Sequence, residues 1–275
     1  MSDPTEGCSE ARKPSHEYRR AARLMNGKVY LVGAGPGAPD LLTLRAARLL
    51  GEAGIVFHDA LVNPEILALA GKAKWVPVGK RCGTHSTAQT FINKQLIDAA
   101  RKHPVVVRLK GGDPMLFGRA QEEIDALSAA GIEVEVVPGI TAALAASASL
   151  KVSLTRRGIA RNVALVTPRI GKTERESDWM ASAVAADTAV IYMGAGEADA
   201  IAKALIERGR AAATPVAVLE NASLPCEQWH FGSLAELGEM AQRVGAGPAI
   251  IVLGDVLRER VHAESRVHEL LRKAV

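Results

Sequence analysis

Val105-Val106-Val107-Arg108-Leu109-Lys110-Gly111-Gly112-Asp113-Pro114 is the stretch on which the fold turns. Its first three residues are apolar and β-branched at every position, the pattern of a central strand covered on both faces. The strand, expected over 105–109, runs into two glycines that let main chain approach a ligand closely or form a tight turn. Asp113 can accept hydrogen bonds from hydroxyl or amino groups there. By composition alone, a ligand-facing turn and a purely structural one are equally good readings.

Outward from this strand, short apolar runs alternate with segments of helical period. Further strands are expected at 29–32, 55–57, 75–78 and 134–137. Leu42, Ala46, Leu49, Leu50 and Ala53 share one helix face, with Asp40 placed to cap its start. Other helices are expected over 87–101, 117–130 and 141–150. Residues 151–161 break the rhythm. Strands then follow at 163–166, 189–192, 216–219 and 249–253. Ala198, Ile201, Ala202, Leu205 and Ile206 lie on one helix face that Gly209 ends, and another helix is expected near 234–244. The prediction is two α/β domains with mainly parallel sheets and a ligand cleft between them. Residues 1–26 are read as a basic, disordered tail, 27–153 as the N-terminal domain and 154–161 as a linker. Residues 162–258 are the C-terminal domain and 259–275 an extension.

With 48% apolar and 23% charged residues, the 275-residue chain has the composition of a soluble globular protein. No apolar run approaches the length of a membrane span, and the first residues lack a signal peptide's apolar core. Cys8, Cys82 and Cys226 are far apart and form no CxxC pair. That argues against a disulfide framework or a metal site and fits a reducing cytoplasm. The net charge of +4 is mild, and no aromatic stacking residues accompany the basic residues of the tail. A nucleic-acid partner is therefore not expected.

At the end of the first strand, Gly33-Ala34-Gly35-Pro36-Gly37 can bring backbone amides against a ligand. Gly33, Gly35 and Ala38 also satisfy GxGxxA, and Asp59 sits where a dinucleotide-binding carboxylate would fall. A nicotinamide-dependent oxidoreductase is thus the rival from another class. Pro36 and Pro39 speak against it, because each removes an amide donor where the phosphate-binding helix would begin.

Taken together with Leu116-Phe117-Gly118-Arg119, the central stretch resembles the tetrapyrrole methylases. The resemblance runs from about Val29 to Asp255. It includes the Gly33–Gly37 loop, Leu41-Leu42-Thr43-Leu44, His58-Asp59-Ala60-Leu61-Val62, Val78-Gly79-Lys80-Arg81 and Val137-Pro138-Gly139-Ile140-Thr141-Ala142. In the second half it includes Leu154-Thr155-Arg156-Arg157-Gly158, Tyr192-Met193-Gly194 and Pro215-Val216-Ala217-Val218-Leu219-Glu220-Asn221. The segments at Asp59 and Lys80 are similar to the branch that acts on uroporphyrinogen III, rather than to later corrin-ring methylases or RNA-modifying relatives.

The resemblance implies an S-adenosylmethionine-dependent C-methyltransferase that methylates uroporphyrinogen III at C2 and C7 to give precorrin-2, releasing S-adenosylhomocysteine and using no metal. It also implies a cytoplasmic homodimer in the stand-alone form, without the module fused to it in sirohaem synthases. A methylase of a later precorrin intermediate is the alternative within the class. The implied donor-binding residues are Pro36, Gly111, Gly112, Asp113, Leu116, Thr141, Ala142, Met193 and Ala222, the last where many relatives carry glycine. Asp59 and Lys80 fall on the proton acceptor and donor, and Arg119 on a catalytic position that also handles substrate.

Chemistry leaves some of these roles open. Asp59 is a sensible base for the ring proton or a cap for the turn after its strand, and Lys80 serves as an acid or as a grip on a propionate. Glu122 and Arg156 match substrate-handling positions. Together with Arg81 and Arg169, the arginines suit a polycarboxylate tetrapyrrole, since guanidinium forks hold carboxylates in two-point contacts. The chain departs from the pattern at Thr167-Pro168-Arg169, where relatives read Thr-Gly-His, and at Thr155-Arg156-Arg157, where they read Thr-His-Arg.

Overall fold

A computed structural model describes residues 27–78, 89–170 and 177–273. The tail at 1–26 lies outside the described residues, as do Lys80 and Arg81. Five strands, β1 (Lys28–Gly33), β2 (Ile55–His58), β3 (Lys74–Pro77), β4 (Val105–Lys110) and β5 (Glu133–Val137), form one sheet in the order β3-β2-β4-β1-β5. Every pairing in it is parallel. Parallel neighbours need crossovers, and helices supply them. Helices α1 (Leu44–Glu52) and α2 (Pro64–Ala68) close over one face, where Leu50, Ile66, Val107 and Leu109 are buried together. On the other face α3 (Gln89–Ala100) and α4 (Ala120–Ala129) pack Leu96 and Leu127 against Leu31 and Val106.

The second sheet holds β6 (Val163–Val166), β7 (Thr188–Tyr192), β8 (Pro215–Glu220), β9 (Gln228–Ser233) and β10 (Ala249–Gly254), in the order β6-β7-β10-β8-β9. Parallel pairing dominates the molecule as a whole, but this sheet is mixed. The β6–β7 pair is parallel, whereas β10 runs antiparallel to both β7 and β8, and β8 antiparallel to β9. Helices α6 (Trp179–Ala185), α7 (Ala198–Glu207) and α8 (Leu237–Gln242) cover one face around Ile191, Leu205 and Leu237. The opposite face is covered by α5 (Ala142–Leu150), whose Ala143, Ala146 and Leu150 pack with Val190, Leu219 and Val252. This helix follows the first sheet in sequence but buries its apolar side on the second. Its small residues permit that close approach.

Several local expectations change. Asp40 lies in a 3-10 turn, Pro39–Leu41, and does not cap α1; Thr43 does, its hydroxyl accepting from the Ala46 amide at 3.2 Å. The helix expected over 117–130 begins only at Ala120, because Phe117 and Arg119 adopt φ of 53° and 54° and form a turn instead. The helix near 234–244 is a 3-10 turn, Leu234–Glu236, followed by α8. Strand β9 and helices α2 and α6 were not expected. The extension after 258 is a helix, α9 (Arg258–Lys273).

The exchange of caps gives a direct test. Thr43→Ala is expected to lower stability by about 1 kcal/mol and Asp40→Ala by less than about 0.5 kcal/mol in urea unfolding, the reverse of what a cap at Asp40 would produce.

Candidate active site

In an all-parallel sheet every strand sends its following loop to the same edge, and ligands of open α/β sheets bind there. The loops after β1, β2, β4 and β5 therefore bring Pro36, Asp59, Gly111–Gly112–Asp113 and Thr141–Ala142 to one rim. Three of these loops are joined through glycine backbone. Gly35 and Gly112 exchange hydrogen bonds, the Gly112 amide donating at 2.7 Å and the Gly35 amide at 3.2 Å. A carbon added at Gly139 would stand 2.3 Å from the Gly112 carbonyl oxygen, and one added at Gly33 only 2.6 Å from the Gly139 Cα. Asp113 stitches the same loops, accepting from the amides of Met115 at 2.8 Å and Gly139 at 3.0 Å.

The second sheet faces this rim with its own loops. Because β10 lies between β7 and β8 and runs against both, those two strands point the same way. Met193 after β7 and Ala222 after β8 thus emerge at a common edge, which β6 shares with Thr167–Pro168–Arg169. Contacts close the two rims on each other. The Ala38 amide donates to the Ser223 hydroxyl at 3.1 Å, and a side chain at Gly37 would meet Leu224 at 3.0 Å. Tyr192 places its hydroxyl 2.7 Å from Thr141 Oγ1 and 3.1 Å from the Ala143 amide, and its ring 5.0 Å from that of Phe117. Burial raises the Tyr192 pKa in spite of the Thr141 and Ala143 contacts, so the phenol stays protonated.

Non-glycine residues seldom take positive φ, which costs on the order of 1–3 kcal/mol each, and they gather at functional sites. Phe117, Arg119, Met193, Asn221 and Ser223 all do so, and all lie in these loops. The glycine loop after β1 does not feed a helix directly. Helix α1 begins at Leu44, so no helix N-terminus follows Gly37 in the manner a dinucleotide phosphate requires.

Beneath the rim lies a buried charge cluster. Period-two alternation turns Arg108 and Lys110 of β4 onto the α3–α4 face, each 3% exposed. Asp59 is not a turn cap: its carboxylate, 31% exposed, accepts from Arg108 Nη2 at 2.5 Å. Arg108 Nε and Lys110 Nζ donate to the two oxygens of Glu123 at 3.0 and 3.1 Å. Burial opposes the charge on Arg108, but Asp59 and Glu123 outweigh it and the guanidinium pKa is raised. For Lys110, burial and then the charge of Arg108 prevail over Glu123, and its pKa is lowered.

The other predicted cations are less gathered. Arg119 forms a two-point pair with Glu122 at 2.7 and 2.8 Å on the surface. Arg156 bonds Glu259 of α9 at 2.9 Å, and Arg169 is exposed on the second sheet's edge. Lys80 and Arg81 lie outside the described residues. Sequence reasoning missed Arg108, Lys110, Glu123, Tyr192 and Ser223. The alternation of Arg108 and Lys110 within a buried strand was the available signal for the cluster.

The rim offers exposed glycine main chain at Gly111, where an added carbon meets nothing nearer than Leu61 at 3.9 Å, beside the exposed apolar side chains of Leu61, Met115 and Met193. This suits a ligand with apolar faces and polar edges, as S-adenosylmethionine is. Among the described residues no group of three or more His, Cys, Asp or Glu is placed to hold a metal, and no helix is long and apolar enough to cross a membrane.

Comparison with known proteins gives the same picture. The family model described as Tetrapyrrole (Corrin/Porphyrin) Methylases matches residues 28–238. A uroporphyrinogen-III C-methyltransferase of Pseudomonas aeruginosa is 47% identical over 240 residues, covering 86% of this chain and 97% of that protein. Siroheme synthase 2 of Aeromonas hydrophila is 43% identical over 238 residues, which is 86% of this chain but 50% of the relative, so the chain spans about half the length of that protein. The crystal structure of uroporphyrin-III C-methyltransferase from Thermus thermophilus complexed with S-adenosylhomocysteine superimposes with a TM-score of 0.74 at 44% identity, covering 84% of this chain and 99% of that one.

The glycine junction can be tested by adding a single carbon. Gly139→Ala is expected to lower stability by about 1–3 kcal/mol, since backbone must move to admit it. Gly51→Ala in α1, where an added carbon meets nothing within 4 Å, is expected to stabilise slightly. Urea unfolding of both variants distinguishes a packed junction from a permissive loop.

Proposed function

The chain belongs to the tetrapyrrole methylases, and on that premise we propose that it is an S-adenosylmethionine-dependent C-methyltransferase that methylates uroporphyrinogen III at C2 and C7 to give precorrin-2. The observation that carries this reading is the meeting of the glycine loops after β1 and β4, the start of α5 and the loops after β7 and β8 along one cleft, with the Asp59 carboxylate held at its margin.

Pro36, Gly111, Gly112, Asp113, Leu116, Thr141, Ala142, Met193 and Ala222 hold the donor in this reading. The main chain and the Thr141 hydroxyl supply its polar contacts, and Met193 lies against its apolar faces. Both Asp113 oxygens already accept a backbone amide. A carboxylate has about four acceptor sites, so capacity for a ligand hydroxyl remains. S-adenosylmethionine, when bound, supplies a methyl group already activated as a sulfonium, which is why no metal is needed.

What the protein must do is orient the pyrrole, exclude water and remove one proton for each methyl added. Asp59 takes that proton: its carboxylate is 31% exposed and is held by Arg108 through Oδ1. Lys80 returns a proton or grips a propionate. Arg81, Arg119, Arg156 and Arg169 bind the substrate carboxylates, with Glu122 orienting Arg119. The two sheets are the cores of two domains divided at 154–161, and the enzyme acts as a cytoplasmic homodimer without a nucleic-acid or membrane partner.

Anaerobic incubation with uroporphyrinogen III and S-adenosylmethionine, followed by mass spectrometry, is expected to give a tetrapyrrole heavier by two methyl groups. An unmodified tetrapyrrole despite donor binding would point to a later precorrin as substrate. Asp59→Asn is expected to lower kcat by about 10²–10⁴-fold. S-adenosylhomocysteine binding, followed by calorimetry, should remain unchanged, and a comparable loss of donor affinity would remove Asp59 from the role of base.

A further inference from the structure

Among the described residues two carboxylates are buried, and they are used differently. Glu220 at the end of β8 accepts from the backbone amides of Gly245 and Gly247, at 2.8 and 2.6 Å, and so anchors a loop. Glu123 is fully buried, and among the described residues no backbone amide donates to its carboxylate. Its donors are side chains: Arg108 Nε at 3.0 Å, Lys110 Nζ at 3.1 Å and Gln89 Nε2 at 3.2 Å. The first of these reaches onward to the site. A guanidinium is a rigid planar fork, and Arg108 is held at three points, by Glu123 through Nε, by the Leu109 carbonyl through Nη1 at 3.1 Å and by Asp59 through Nη2. The place of the Asp59 carboxylate is therefore set by the place of Glu123.

The same helix turn has a second consequence. Glu122 and Glu123 are consecutive in the first turn of α4. One points outward to Arg119, and the other inward to Arg108 and Lys110. Anchoring Glu123 fixes the distance between the Arg119–Glu122 pair on the rim and the carboxylate of Asp59.

We infer that Glu123 is a positioning residue for the methyl-transfer step, acting on Asp59 through Arg108 and touching neither donor nor tetrapyrrole. The inference rests on the reading of Asp59 as the base. It also separates Glu123 from an ordinary buried ion pair, because a merely structural carboxylate would alter folding without a specific dependence on Asp59.

The experiment is a double-mutant cycle with the full chain, uroporphyrinogen III and S-adenosylmethionine. Wild-type turnover is measured first, and its absence overturns the activity reading and this inference with it. Given turnover, Glu123→Gln is expected to lower kcat at least about tenfold with both KM values within about twofold. In an Asp59→Asn background the same change should cost less than about twofold, the non-additivity of residues that act as a unit. Equal losses in both backgrounds, or wild-type kcat in Glu123→Gln, overturn the positioning role and leave the activity reading standing. Should Glu123→Gln fail to bind S-adenosylhomocysteine, Arg108→Lys carries the test. It keeps a cation but cannot reach both carboxylates, so it is expected to show the same kcat loss and the same coupling to Asp59. Wild-type kcat in Arg108→Lys overturns the inference.

Discussion

The contact on which the rest of the site depends is backbone against backbone. Gly33, Gly112 and Gly139 end or follow three neighbouring strands, β1, β4 and β5, and a side chain at Gly33 or Gly139 would strike the backbone of the others. Each loop alone would be free to wander. Joined through the paired amides of Gly35 and Gly112 and through the Asp113 carboxylate, they form one layer over the sheet's edge. Such hydrogen bonds contribute only about 0.5–1.5 kcal/mol apiece. Their value here is geometric, since they decide which main-chain atoms look into the cleft and where α5 begins.

The mixed second sheet answers to that layer. Had β10 not been inserted between β7 and β8, hydrogen-bonded neighbours running antiparallel would have sent Met193 and Ala222 to opposite ends. With it, both loops face the glycine layer, and Ser223 and Tyr192 can reach Ala38 and Thr141. Helix α5 then bridges the halves: its first residues belong to the rim, while its alanine-rich side is buried on the second sheet. Ser149 of the same helix bonds Glu227, which also takes the Ser223 amide, so the loop after β8 is tied to the C-terminal end of α5, while Tyr192 of β7 holds its start.

How far the sequence was legible follows from which forces act locally. The run Val105-Val106-Val107 announced a strand buried on both faces, and the alternation around it gave the two sheets and most crossovers. Strand β9 went unseen because Gln228-Trp229-His230-Phe231-Gly232-Ser233 has two apolar residues among polar ones, and its place depends on pairing with β8. Helices α2 and α6 are only 5 and 7 residues long, too short to show a period. Asp40 and Thr43 are both good caps by type. Pro39 decides between them by starting a 3-10 turn that consumes Asp40. The glycine and acidic residues of the site could be named from motifs alone. The cluster had only the alternation of Arg108 and Lys110 in a buried strand to announce it, since charged residues are seldom buried and only tertiary pairing with Glu123 makes these two acceptable.

That cluster also bears on the proposed polycarboxylate substrate, because the arginines around the site already have partners. Arg108 and Lys110 are held under the rim by a buried carboxylate, and giving up that partner would leave charges stranded at a cost of several kcal/mol. They are not available to substrate. Arg119 and Arg156 stand differently. Their partners, Glu122 and Glu259, lie at exposed pairs that solvent screens. Exchanging such a carboxylate for a propionate of a tetrapyrrole is nearly neutral in energy, and the geometry of the guanidinium fork is already suited to it. Burial therefore divides the basic residues into those locked by a buried carboxylate and those at exposed pairs, and it does so between positions only eleven residues apart, Arg108 and Arg119.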